Sequence, residues 1–143
     1  ASLGTLWHIP EATEGLDMPY GFNKPTGIMP VYAVITPFVP DAHLGSFYNL
    51  FGTQTPDEAL MRKYSLSDAV DEKSSPAFIV HTSNDSVVTV QNALAFAKAY
   101  VSFAAAFAIV FSSETVALYP LTLVNVSTGI LNASKKFTNS AAI

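Results

Sequence analysis

Residues 75–90 have the sequence Ser75-Pro76-Ala77-Phe78-Ile79-Val80-His81-Thr82-Ser83-Asn84-Asp85-Ser86-Val87-Val88-Thr89-Val90, and this stretch decides the fold. An apolar run rich in β-branched and aromatic residues is followed by a polar loop with one acid and then by an alanine-rich helical pattern. This order predicts a strand, a loop and a helix. In open α/β sheets, ligands and catalytic groups lie in the loops at the carboxyl ends of the strands, so Asp85 stands where a functional acid is expected.

Two further strand patterns flank this stretch, at residues 31–36 and 105–111. Val31-Tyr32-Ala33-Val34-Ile35-Thr36 is an apolar run of strand length and fits a parallel strand buried on both faces. Helical patterns separate the strand patterns, and no hairpin signal such as Asn-Gly lies between them. The fold class is therefore α/β, one domain over residues 1–143 with about three parallel strands and crossover helices. Three strands are few for such a sheet, so one of its edges is expected to need strands from elsewhere.

The helical patterns differ in how clearly they begin and end. Thr55-Pro56-Asp57-Glu58 predicts a helix over residues 56–64 with Thr55 as its N-cap. Residues 1–7 fit the last turns of a helix, residues 133–143 fit a terminal helix, and residues 65–75 fit a solvated connector. A further helix is predicted over residues 90–103, with its buried face formed by Leu94, Ala97, Val101 and Ala104.

Composition excludes several classes of protein. Half of the 143 residues are apolar, which is ample for a core, and 13% are charged, against a usual share of about 25%. The net charge is −4 and the basic residues are spread singly, so nucleic acid is not an expected partner. The chain has no cysteine and therefore no disulfide framework or thiolate nucleophile. The compartment is left open, with the cytoplasm slightly favoured.

The nearly apolar run from Ala93 to Phe111 raises the question of a membrane span. Lys98 interrupts it, and its composition changes from alanine-rich to Phe, Ile and Val, so a buried helix followed by a buried strand is predicted and no membrane is expected. No glycine-rich phosphate loop is present, and the three histidines are far apart in sequence. No cofactor and no metal are expected.

Three residues are candidates for a site. Asp85 either caps the following helix or orients a histidine in a serine, histidine, aspartate triad. His81 ends its predicted strand, where a hydrogen-bonded core histidine is more common than a catalyst. His43 lies in a predicted loop with Gly45 and Ser46, where a role in binding and a structural role are both open.

Several segments together resemble one family. Residues 77–82, Asp85-Ser86-Val87-Val88 and Asn92-Ala93-Leu94 are similar to the acid-loop segment of bacterial α/β-hydrolase esterases, in particular the acetyl esterases related to xylan and sugar-ester deacetylases. The similarity extends over about residues 1–103, because three more segments match in order: Ala1-Ser2-Leu3-Gly4-Thr5-Leu6-Trp7, Tyr32-Ala33-Val34-Ile35-Thr36, and His43-Leu44-Gly45-Ser46-Phe47 with Asn49-Leu50-Phe51-Gly52.

The resemblance implies the C-terminal portion of an α/β-hydrolase domain that hydrolyses acetyl esters, acetylated carbohydrates among them, with Asp85 as the triad acid. It assigns His43 and His81 substrate-binding or supporting roles. The family's nucleophile elbow, G-x-S-x-G, lies upstream of the segment similar to residues 1–7 and does not occur in this chain, and Glu114 stands where the family has its catalytic histidine. The chain alone is therefore expected to be inactive and to need the N-terminal half or another chain. The alternative is a non-catalytic binding module that uses the loops at His43, Asp85 and Glu114.

Overall fold

The computed structural model describes residues 1–103 in full and, beyond them, the backbone of residues 107–112, 123–125 and 129–131. Nine elements follow one another in this part of the chain: α1 (Ser2–Leu6), α2 (Pro10–Thr13), α3 (Leu44–Phe51), α4 (Glu58–Lys63), β1 (Ala77–Thr82), α5 (Gln91–Ser102), β2 (Phe107–Ser112), β3 (Leu123–Asn125) and β4 (Gly129–Leu131).

Strands β1 and β2 form a parallel pair in which Ala77 lies opposite Phe107 and Thr82 opposite Ser112. Helix α5 connects them, so β1, α5 and β2 form the crossover unit that the sequence predicts. The apolar run from Ala93 to Phe111 is divided between this helix and this strand, as predicted. Within the described residues, no helix is long and apolar enough to cross a membrane.

The predicted strand over residues 31–36 is wrong in position and regularity. The chain pairs with β1 three residues earlier, where Ile28 and Val31 form isolated parallel bridges with Ala77 and Val80. Pro30 has no amide hydrogen to donate, and Tyr32 has a left-handed backbone (φ 49°), which ends the pairing. The third strand is therefore a short irregular edge segment, residues 28–32.

A side chain replaces the strand partner beyond that point. Asn92 in the first turn of α5 accepts hydrogen bonds through Oδ1 from the amides of Ile35 (2.8 Å) and Thr36 (3.2 Å). Asn92 is fully buried. The two amides would otherwise be buried without a partner, so this contact fixes the end of the edge segment to α5.

The core lies between β1 and one face of α5. The buried side chains of α5 are those of Asn92, Ala93, Phe96, Ala97 and Tyr100. They pack on Ala77 and Ile79 of β1, on Ile35 and on Val70. Of the predicted buried face, Ala97 is buried, whereas Leu94 and Val101 are 41% and 50% exposed, and Ala104 lies outside the described residues. The two large aromatic rings determine which face is buried: Phe96 and Tyr100 meet edge to face, with centroids 5.0 Å apart.

Other predictions also need correction. Helix α4 begins after Asp57, whose Oδ1 accepts from the Leu60 amide at 2.7 Å, so Asp57 and not Thr55 is its N-cap. Residues 65–75 are not a solvated connector, since Ser65, Val70 and Ser75 are buried.

The remaining predictions concern the two ends of the chain. Residues 1–7 contain the short helix α1, so the prediction of a helix in this segment is confirmed. The predicted helix over residues 133–143 and the position of Glu114 lie outside the described residues. Strands β3 and β4 pair antiparallel, which the sequence did not predict.

Candidate functional site

Three chain segments end at the same edge of the sheet. Strands β1 and β2 end together at Thr82 and Ser112, and the parallel edge segment beside β1 ends at Tyr32. The carboxyl-terminal edge of such a sheet is where α/β proteins place their ligands. The loop after β1, residues 83–90, leaves from this edge and carries Asp85.

Asp85 is held in a tight turn by its own loop. Its Oδ1 accepts hydrogen bonds from the amides of Val87 and Val88, both at 2.9 Å. These two bonds, that from Val87 first, hold the pKa of Asp85 below its usual value of 3.8, and the electrostatic interaction with His81 acts in the same direction. Partial desolvation opposes them. The carboxylate is therefore ionised at neutral pH.

The turn also decides between the two local interpretations of Asp85. Helix α5 begins at Gln91 with Val90 at its N-cap position, so Asp85 does not cap the helix. Its Oδ1 organises the turn, whereas Oδ2 takes no part in these two bonds and lies 3.8 Å from Nε2 of His81. The carboxylate thus has one oxygen committed to the backbone and a second oxygen available for another role.

His81 lies at the end of β1 and is 1% exposed. Its Nε2 lies 2.7 Å from the carbonyl oxygen of Val88. Because a carbonyl oxygen can only accept, Nε2 carries the proton in this contact. The ring of Tyr32 packs against the imidazole, with centroids 5.3 Å apart and planes inclined by 58°.

His43 does not lie in a loop with Gly45 and Ser46, as predicted, but at the start of α3. Its Nδ1 is 2.9 Å from Oγ of Ser46, one turn along. The preceding segment does approach the acid loop, because Thr89 Oγ1 donates to the carbonyl of Pro40 at 3.4 Å. His43 and Asp85 nevertheless share no hydrogen bond or ion pair, so the described residues do not join them in one site.

A second pair of histidine and aspartate lies away from this edge. His8 Nε2 is 2.8 Å from Asp71 Oδ2, and Asp71 Oδ1 accepts from the amides of Lys73 and Ser74 at 2.9 and 3.1 Å. This carboxylate fixes its own loop and the segment after α1. Within the part of the chain that the structure describes, no group of side chains could hold a metal ion.

A cavity of about 220 Å³ lies beside α1. Its lining consists of Ser2, Leu3, Leu6, Trp7, Ala12 and Asn23. None of the predicted site residues contributes to it. A smaller enclosed space beneath the sheet edge is lined by His81 together with Pro30, Ala33, Ile35, Ile79, Val80, Ala93 and Phe96.

Sequence reasoning missed two residues near this edge. Asn92 fixes the end of the edge segment, and Tyr32 covers His81. An amide side chain on an otherwise apolar helix face was the available signal for Asn92. No signal in the sequence indicated the left-handed backbone of Tyr32, which a bulky residue rarely adopts.

No protein-family model and no curated protein sequence matches the chain. Solved structures do match it. An acetyl ester-xyloside bifunctional hydrolase from Caldicellulosiruptor lactoaceticus is 32% identical, with a TM-score of 0.66, over 80% of this chain and 42% of the hydrolase. A carboxylesterase from Lactobacillus plantarum is 20% identical, with a TM-score of 0.54, over 78% of this chain and 38% of its own. A lipase/esterase from the same organism is 21% identical, with a TM-score of 0.52, over 78% and 41%.

These matches define the class: the structural neighbours of the chain are α/β-hydrolase esterases. The resemblance to the esterase family that the sequence indicated is thereby confirmed. The chain spans less than half the length of each of these structures.

Proposed function

We propose that this chain is part of an ester hydrolase with a serine, histidine, aspartate mechanism and that Asp85 is its acid. The position of Asp85 carries the proposal: an ionised carboxylate lies just past a parallel strand at the carboxyl-terminal edge of the sheet. In such a mechanism the acid accepts a hydrogen bond from a histidine, fixes its tautomer and stabilises the imidazolium that forms when serine is deprotonated.

The geometry of Asp85 supports this role. Two backbone amides bind one carboxylate oxygen and keep the group ionised, which leaves Oδ2 to accept from an imidazole. His81 is not that imidazole, because its Nε2 donates to Val88 and it is buried. In this proposal the catalytic histidine and the serine are supplied by polypeptide outside this chain.

Acetyl esters, acetylated carbohydrates among them, are the proposed substrate class. Of the three structures compared above, the hydrolase from Caldicellulosiruptor lactoaceticus has the highest sequence identity and TM-score, and it is described as an acetyl ester-xyloside hydrolase, which supports this class. His43, which precedes α3 and follows the segment that contacts the acid loop, is the residue we assign to substrate binding.

The partner in this proposal is a complementary portion of the esterase domain. This partner is supported by the portion of the hydrolase that the chain does not match, which is more than half of the hydrolase's length.

The exposed face of the sheet supports the same partner. Side chains of β1 alternate, so Phe78 and Val80 face away from α5, and Val31 pairs beside Val80. Met29, Val31 and Phe78 are 66%, 45% and 38% exposed on this open face. Parallel sheets are normally covered on both faces, so a helix of the complementary portion is the expected cover.

A p-nitrophenyl acetate assay of the isolated chain tests whether the nucleophile lies outside it. We expect no hydrolysis above that of Asp85→Ala, measured with both proteins folded by circular dichroism. Turnover by the wild-type chain that Asp85→Ala abolishes would show that the chain holds a complete site and would contradict the proposed division.

A further inference from the structure

Val88 connects His81 and Asp85 through its two backbone groups. Its amide donates to Asp85 Oδ1 at 2.9 Å, and its carbonyl accepts from His81 Nε2 at 2.7 Å. The turn that holds the carboxylate is thus attached at its far end to a side chain of β1, which belongs to the core of the sheet.

We propose that His81 is the positioning residue of the acid turn: its Nε2 proton holds the Val88 carbonyl and thereby fixes the direction of the Asp85 carboxylate. The importance of this contact for catalysis rests on the proposed role of Asp85, whereas the positioning itself follows from the two hydrogen bonds of Val88. His81 touches no reacting atom in this arrangement and acts only through Val88.

The surroundings of His81 suit such a role. The imidazole is 1% exposed, so its hydrogen bond to Val88 does not compete with water. Tyr32 covers the ring on one side and does so from a left-handed backbone conformation, at φ 49°. A bulky residue holds such a conformation only where its surroundings enforce it, and strained residues of this kind cluster at functional sites.

Nuclear magnetic resonance of the chain tests the proposal without any enzymatic assay. The measurements are the pKa of Asp85 from its carboxyl carbon and the hydrogen exchange rates of the Val87 and Val88 amides. In His81→Phe, which keeps a ring but removes the donor, we expect the pKa of Asp85 to rise toward 3.8 and both amides to exchange on the order of tenfold faster, as for the loss of one buried hydrogen bond.

Two variants separate positioning from packing. His81→Gln keeps a donor at a similar distance from the main chain, and we expect it to restore the exchange rates close to wild type and the part of the pKa shift that the Val87 and Val88 amides cause. His8→Phe, the matched control at a histidine that pairs with Asp71 in a different loop, should change neither. A folded His81→Phe protein with wild-type values, or a His81→Gln protein that behaves as His81→Phe does, would overturn the proposal.

The wild-type protein gives a further test if His81→Phe does not fold. Nitrogen-15 shifts of the imidazole report which nitrogen carries the proton at neutral pH. A protonated Nε2 is expected, and a ring protonated only at Nδ1 would overturn the proposal because the bond to Val88 could not form. If these measurements agree with expectation while Asp85 proves dispensable for ester hydrolysis, the proposed function fails and the positioning of the turn stands.

Discussion

At the scale of single residues, Asp85 fits both roles that its sequence context allowed, one structural and one functional. Its turn-forming neighbours predicted a structural acid, and its place after a strand predicted a functional one. The structure gives each carboxylate oxygen a different environment: Oδ1 binds the amides of Val87 and Val88, and Oδ2 lies toward His81. One residue can therefore organise its loop and still present an oxygen to a partner.

The lowered pKa of Asp85 makes stability depend on pH. A carboxyl whose pKa is lower in the folded than in the unfolded protein stabilises the fold above the unfolded value, and this contribution is lost as pH falls through the folded value. Wild type should therefore exceed Asp85→Asn in free energy of unfolding at neutral pH, since the amide keeps an acceptor but not the charge. The difference should shrink as pH falls below 3.8.

Urea denaturation of both proteins across this pH range measures the difference. Asp85→Ala, which removes the acceptor as well, should remain less stable than Asp85→Asn at every pH. A gap between wild type and Asp85→Asn that persists unchanged well below pH 3.8 would show that the charge is not what the turn stabilises.

Asn92 contributes more to the stability of the fold than its position in the sequence indicates. Asn92→Ala would leave the amides of Ile35 and Thr36 buried without a partner, so we expect a loss of about 2 kcal/mol or more in the free energy of unfolding. Gln91→Ala, on the exposed side of the same turn, is the matched control and should stay within about 0.5 kcal/mol of wild type. Equal effects from the two substitutions would mean that Asn92 does not hold the edge segment.

At the scale of elements, α4 begins two residues later than its strong local sequence signal predicts. Thr55-Pro56-Asp57-Glu58 has the pattern of a capping box, yet Asp57 makes the cap bond to Leu60 and Glu58 binds Arg62 through Nε at 2.9 Å. Two residue types that favour caps stand close together here, and the pattern alone does not choose between them. The existence of the helix was predictable; its first residue was not.

The two possible caps make a simple comparison. Asp57→Ala should lower the free energy of unfolding by about 1 kcal/mol, as for the loss of an N-cap side chain. Thr55→Ala should change it by no more than about 0.5 kcal/mol. Urea denaturation monitored by circular dichroism measures both, and a larger loss for Thr55→Ala would restore the cap that the sequence predicted.

The unit of β1, α5 and β2 was predictable because each element has a distinct composition: a β-branched run, an alanine-rich run and a second apolar run. The burial face of α5 was not, because alanine and leucine positions satisfy helical periodicity on more than one side. Phe96 and Tyr100 pack together and settle the face through tertiary contact. The strand predicted over residues 31–36 was wrong for a related reason, since strand propensity does not indicate the left-handed backbone of Tyr32.

At the scale of the whole molecule, the open face of the sheet links the structure to the matched esterases. Among the described residues, the parallel sheet has α5 on one face and exposed apolar side chains on the other, whereas such sheets are normally covered on both faces. The chain covers 42% of the hydrolase from Caldicellulosiruptor lactoaceticus. Under the proposed function, the complementary portion provides both the cover of this face and the histidine and serine that act with Asp85.

A chimera tests the role of Asp85 in an active setting. Residues 1–103 of this chain replace the matching segment of the Caldicellulosiruptor hydrolase, and kcat for p-nitrophenyl acetate is measured with and without Asp85→Asn. Asp71→Asn is the matched control, because Asp71 also pairs with a histidine, His8, at 2.8 Å but lies in a different loop.

We expect an active chimera whose kcat falls by about 10⁴-fold with Asp85→Asn, because a triad histidine loses the acid that fixes its tautomer, and is unchanged by Asp71→Asn. A folded chimera without activity, or one in which Asp85→Asn leaves kcat within about tenfold of its parent, would contradict the assignment of Asp85 as the triad acid.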